Sequence, residues 1–179
     1  SKVRVFTKIW LALFGQWEWD GTPNMPPEMI FLPNWLPFNI YRFSSWARAT
    51  IVPMLIILTH QPLCKVPANK GIDELYTEPR HQVDYSLPEP TGGWGWAKIL
   101  HQLDRVIGIY HSLPLHPFRG LAEKKIVDWI LSHQEADGCW GGIQPPWVYS
   151  LIVLHYMGFP AEHPAMEKGF AGFEGYAIE

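Results

Sequence analysis

"SHQEADGCWGGIQPPWVY", residues 132–149, decides how the rest of the chain is read. It allows a metal or nucleophile site on His133 and Cys139, a carboxylate site on Glu135 and Asp137, or a joint between two helices. A metal site needs ligands at spacings such as C-x-x-C or H-x-x-x-H, and His133 and Cys139 stand in neither pattern. A nucleophilic Cys139 needs a base and an electropositive setting, and the sequence points to neither. Paired carboxylates suit glycosidases, but acids beside Asp137-Gly138 are also ordinary turn formers. The joint accounts for the most residues. Gln134 follows the helix holding Trp129, Asp137-Gly138 turns the chain, and Trp140 leads to a helix opened by Pro145-Pro146. A glutamine amide can satisfy orphan backbone groups at either helix end. No metal or cofactor is expected.

The flanking sequence reads as helices. Val5, Ile9, Ala12 and Leu13 share a face of a helix over about 2–15, with Gly15 near its end. A short helix fits Glu28–Leu32 within a stretch rich in Pro, Trp and Asn. Ser44 or Ser45 can cap a helix to about Thr59, apolar on nearly every side beyond Thr50 and bent by Pro53. Residues 61–95 form a long proline-rich connection, of a length that usually carries function or faces a partner. From Trp96, residues Ile99, Leu100, Leu103, Ile107 and Tyr110 continue an amphipathic helix. Pro117 suits the first turn of the next, with Leu121, Ile126, Trp129 and Ile130 as its buried side. Pro146 opens another through Leu154, closed by Gly158, and Pro164 begins a last one. No strand alternation stands out, so the fold class is all-α, with helices in antiparallel pairs. "GGWGW" (92–96) and "GCWGG" (138–142) place the same Gly-x-Trp-Gly pattern ahead of a helix twice, which suggests a helix-pair repeat.

Composition narrows the function. A net charge of −3 lacks the basic stripe that nucleic acid requires, so nucleic-acid binding is excluded. Ten tryptophans call for a large core or an aromatic-lined cavity. Cys64 and Cys139 read as reduced cytosolic thiols. "IVPMLIIL" (51–58) falls far short of the ~20 residues that span a bilayer. The chain opens in helical register without an initiating Met, which reads as a cut through a larger protein.

Gln134-x-x-x-Gly138-x-Trp140 resembles the QW repeat of triterpene cyclases. "VFTKIWLALFGQW", "PPEMIFLPNWLPFNIYRFSSWARATIVP", "HPFRGLAEKKIVDWIL" and "DGCWGGIQPPWVYSL" extend the resemblance to the bacterial squalene–hopene cyclases over essentially the whole chain. The resemblance implies an incomplete (α/α) barrel, or toroid, over residues 1–179, with 61–95 as a connection within it. In that family two such domains enclose an apolar cavity where squalene is protonated and cyclised to hopene or hopanol. The family's acid is a D-x-D-D motif in the other domain. The six aspartates here (20, 73, 84, 104, 128 and 137) form none, so the piece alone is expected to be inactive. Matching segments place Phe6, Trp46, Ile143, Gln144 and Pro145 at the substrate cavity, and Phe43 and Ile51 at the channel constriction. On residue type alone, Phe6, Phe43, Trp46 and Ile51 suit a core equally well. Gln144 invites a specific role, holding the water that ends the cascade. The implied partners are squalene or a similar polyprenoid, the remaining cyclase domain, and a membrane surface bound monotopically from the cytoplasmic side through residues 61–113. The resemblance also allows a homodimer. A cyclase acting on another linear polyprenoid, or a non-catalytic helical-repeat binding module, are the alternative readings.

Overall fold

The computed structural model describes residues 3–36, 39–86 and 95–176. Among them are six α-helices, short 3-10 turns and no strand, so the fold is all-α. The helices are α1 (Val5–Leu13), α2 (Ser45–His60), α3 (Trp96–Ser112), α4 (Arg119–Ser132), α5 (Gln144–Tyr156) and α6 (Pro164–Gly175). The chain divides into two compact units. One is built from the residues up to Asn24 and His60–Leu113, the other from Met25–Thr59 and the residues from Pro114 onward.

Helix boundaries follow capping chemistry. Arg48 N–H donates to the Ser44 carbonyl (2.9 Å), which puts Ser44 at the α2 cap. Prolines open α5 and α6, where their missing N–H costs no helical bond. Gly15 and Gly158 follow α1 and α5 at φ +66° and +91°, the left-handed geometry that lets a helix stop. Some expectations need correction. Helix α1 is shorter than 2–15, and the expected helix at 28–32 is a 3-10 turn, Pro27–Phe31. Helix α4 begins at Arg119, two residues beyond Pro117, because Phe118 takes the cap position. The first copy of the Gly-x-Trp-Gly pattern, with Trp94, lies largely outside the described residues.

In the first unit, Ile9, Ala12 and Leu13 of α1 are buried, and Lys8 with them. The Lys8 ammonium lies 5.5 Å from the Trp17 ring, and burial lowers its pKa, opposed by the charge of Asp84. The connection after α2 fastens back onto the end of α1. Cys64 N–H donates to the Leu13 carbonyl (2.8 Å), Ile72 N–H to Gln16 Oε1 (3.1 Å), and Tyr76 O–H to the Gln16 carbonyl. Three 3-10 turns, Ala68–Lys70, Asp73–Leu75 and Arg80–Gln82, carry it along. Helix α3 differs from every other helix: among the described residues it buries no side chain. Its attachment is polar, through Asp104, which accepts from the Asn24 backbone N–H (2.7 Å) and amide (3.1 Å).

The second unit holds most of the core. Helix α2 buries Ala49, Thr50 and the run Val52–Leu58, and continues through Pro53. Helix α4 packs on the Pro27–Phe31 turn, with Lys125 Nζ 5.0 Å from the Phe31 ring and Arg119 Nε 3.4 Å from Glu28. Its buried side is Ala122, Ile126, Val127 and Ile130. Leu121, expected there, is 61% exposed, because the face is rotated toward Ala122 and Val127. Helices α5 and α6 pack through Trp147, whose indole N–H donates to the Gly169 carbonyl (3.0 Å) and whose ring meets Phe173 edge-on.

Candidate functional site

The turn between α4 and α5 is built by side chains that bond backbone. The Gln134 amide donates to the Gly138 carbonyl (3.1 Å) and to the Ala165 carbonyl at the start of α6 (2.8 Å). The Trp140 indole N–H donates to the Ile130 carbonyl (2.7 Å) in the last turn of α4, which also accepts from His133 N–H (3.2 Å). Gly138 sits at φ +91° with its Cα facing the Lys168 carbonyl, where any Cβ would overlap it. The predicted Gln134, Gly138 and Trp140 thus form one joint that ties α4, the turn and α6 together. The glutamine bonds carbonyls of the turn and of α6, and the tryptophan bonds the last turn of α4.

The other polar groups of this stretch also belong to the turn. Asp137 Oδ1 accepts from Cys139 N–H (3.0 Å), and hydrogen bonding by the Cys139 side chain, then by this N–H, lowers the Asp137 pKa. Glu135 accepts from Gly141 N–H through Oε1 (2.9 Å) and from the Cys139 thiol through Oε2 (3.4 Å). His133 caps α4 and stacks on Trp129 at 3.9 Å. Glu135, Asp137 and Cys139 each bring a potential ligand atom within 4.8 Å of the others. Burial, reinforced by the neighbouring carboxylates, pushes the Cys139 thiol up to about 12. It therefore stays protonated at neutral pH, the unreactive form for a nucleophile.

Beyond the joint, Gly141 and Gly142 both take positive φ, +73° and +64°. A Cβ built on Gly141 would lie 3.4 Å from Ala49 Cβ and 3.9 Å from Trp46 Cα, ordinary packing distances, so the φ is what calls for glycine there. This contact lays Gly141 on the start of α2, and Ile143, Gln144 and Pro145 follow it into α5. Trp46 is 57% exposed and Ile143 40%. Gln144 is exposed and Pro145 half-buried. Phe43, three residues before Trp46, is exposed, and Ile51 is half-buried further along α2. Phe6 is 51% exposed in the other unit. None of the seven predicted wall and constriction residues belongs to the buried core. The six in the second unit offer aromatic and aliphatic side chains, one amide and no titratable group.

Sequence reasoning missed three residues. Glu135 fixes Gly141, a bond across six positions that no spacing rule announces. Asn39 is fully buried, where its amide donates to the carbonyls of Asn34 (3.0 Å) and Leu36 (2.5 Å) and its oxygen accepts from Tyr41 N–H (2.9 Å). It thereby shapes the turn that delivers Phe43, and an Asn inside a proline-rich apolar run was the available signal. Buried Lys8 gave none.

A family model described as the squalene-hopene cyclase N-terminal domain matches residues 1–179. A squalene–hopene cyclase of Alicyclobacillus acidocaldarius is 45% identical over 98% of this chain and 27% of its own length. A dammaradiene synthase of Dryopteris crassirhizoma is 33% identical over 99% of the chain and 26% of its own length. A squalene–hopene cyclase of Bradyrhizobium diazoefficiens is 31% identical over 89% and 24%. The chain spans about a quarter of the length of these curated relatives.

Proposed function

The chain belongs to the squalene–hopene cyclase N-terminal domain family, and on that premise we propose that it supplies cavity wall to a cyclase whose acid lies elsewhere. The whole enzyme protonates squalene and closes it through successive carbocations. Loss of a proton then gives hopene, and capture of water followed by proton loss gives hopanol. The observation that carries this reading is that Trp46, Ile143, Gln144 and Pro145, apolar but for one amide, are all left outside the core.

The chemistry suits such a wall. An aromatic face attracts a desolvated cation by up to roughly 2 kcal/mol or more, whereas a free carboxylate or loose water would end the cascade early. Of the carboxylates nearest in sequence, Glu135 and Asp137 are both engaged by backbone N–H groups. Gln144, at the first position of α5, can hold one water through its amide without adding charge. Phe43 and Ile51 are assigned to the constriction of the substrate channel, and Phe6 to the wall contributed by the first unit.

Membrane docking is assigned to α3. Trp96, Ile99, Leu100, Leu103, Val106 and Ile109 are between 39% and 71% exposed, a stripe suited to the headgroup and acyl boundary of a bilayer. No helix among the described residues is long and apolar enough to cross a membrane, so the proposed association is with one leaflet.

Product analysis of the full-length protein incubated with squalene tests the assignment. Hopene and hopanol are expected. Unconverted squalene beside cyclisation of another polyprenoid would replace it with the second reading, a related terpenoid cyclase, which the dammaradiene synthase relative favours.

A further inference from the structure

Glu135 does work that the joint itself does not need. The turn is closed by Asp137 on Cys139 N–H, by Gln134 on the Gly138 and Ala165 carbonyls, and by Trp140 on the Ile130 carbonyl. The Glu135 carboxylate reaches forward instead, out of the turn, to Gly141 N–H at 2.9 Å. Its position is set from both sides, because Glu135 N–H donates to the Cys139 carbonyl (2.9 Å) and the Cys139 thiol donates to Oε2 (3.4 Å).

Gly141 is where such a hold has the most effect. Gly141 and Gly142 are consecutive glycines at positive φ, and a glycine reaches positive and negative φ about equally well. On backbone preference alone, the pair leaves the direction of the next residues open. Those residues are Ile143, the cap of α5, and Gln144, its first residue. A charge-assisted bond at Gly141 N–H removes that freedom. Gly141 meanwhile lies beside Ala49 and the Trp46 backbone on α2, so the residue that Glu135 holds is also one that packs on that helix.

We infer that Glu135 is a positioning residue for Gln144: by holding Gly141 N–H it fixes the Gly-Gly pair and so the place of the Gln144 amide at the cavity rim. The inference rests on the cavity-wall reading above. Glu135 acts through the backbone and touches no substrate. Its role is to set the balance between proton loss and water capture at the end of the cascade.

The test uses the full-length enzyme with squalene and reads the ratio of alkene to alcohol product beside the melting temperature. Glu135 is exposed, so replacing it opens no core. Glu135→Ala is expected to shift the ratio about threefold or more, in the direction of Gln144→Ala, and the double variant to shift it no further than Gln144→Ala alone, as for two groups acting on one step. Glu135→Gln keeps an oxygen that accepts from Gly141 N–H and should restore the wild-type ratio. Asp137→Ala, which loosens the turn without touching Gly141, should lower the melting temperature and leave the ratio in place. A Glu135→Ala enzyme with the wild-type ratio overturns the inference, as does a Glu135→Gln enzyme shifted as far as Glu135→Ala. Wild-type enzyme that forms no cyclised product from squalene overturns the underlying reading instead, and is distinguished by needing no variant.

Discussion

Helix α3 and the joint between α4 and α5 show opposite relations between sequence pattern and packing. Helix α3 carries a regular apolar stripe from Trp96 to Tyr110, yet among the described residues it buries no side chain and holds to its unit through the Asp104–Asn24 fork. Helices α4 and α5 carry a less regular pattern, yet Ile126, Ile130, Tyr149, Val153 and Leu154 are wholly buried, with Trp140 at 1% exposure. Periodicity says which residues share a face. It does not say whether protein, lipid or substrate covers that face. At the joint the positions are set by side chains bonded to backbone, so burial follows geometry and not stripe.

That contrast can be broken first at its strongest point. Trp140→Ala removes a fully packed ring and the indole bond to Ile130, and should destabilise the full-length protein by about 3–5 kcal/mol in chemical denaturation. A smaller loss is expected for Gln134→Ala, about 1–3 kcal/mol, because the Gly138 and Ala165 carbonyls lose their shared donor. On the α3 side, Leu100→Glu should change stability by no more than about 0.5 kcal/mol, while binding of the full-length enzyme to phospholipid vesicles falls. A large stability loss at Leu100 would show that α3 is core after all and erase the contrast.

A further effect concerns Cys139 and appears only in alkaline solution. The unfolded thiol releases its proton near 9.0, while the folded one holds it to about 12. The folded state therefore binds more protons across that window, and stability declines as pH rises through it. A melting curve taken against pH should show this decline, and Cys139→Ala should flatten it. At neutral pH iodoacetamide should modify the exposed Cys64 and spare the buried Cys139.

Helix starts and stops were legible because they are local. Proline in the first turn, serine at a cap and glycine after a helix act within a few residues, so α2, α5 and α6 lie close to where they were expected. Gln134, Gly138 and Trp140 were legible as a joint for the same reason. What escaped was anything decided at a distance. Gln134 bonds Ala165 across 31 positions. The register of α4 on the Pro27–Phe31 turn decides that Ala122 is buried and Leu121 is not. The acids of the opening stretch read as turn formers, which describes Asp137; the reach of Glu135 to Gly141 depends on where the folded chain lays Gly141 beside α2.

The account stands most directly on Gln144. In the full-length enzyme supplied with squalene, Gln144→Ala should alter the ratio of alkene to alcohol among the cyclised products severalfold, as expected if its amide holds the water near the last cation. A Gln144→Ala enzyme with the wild-type product ratio would contradict the claim that this residue faces the end of the cascade.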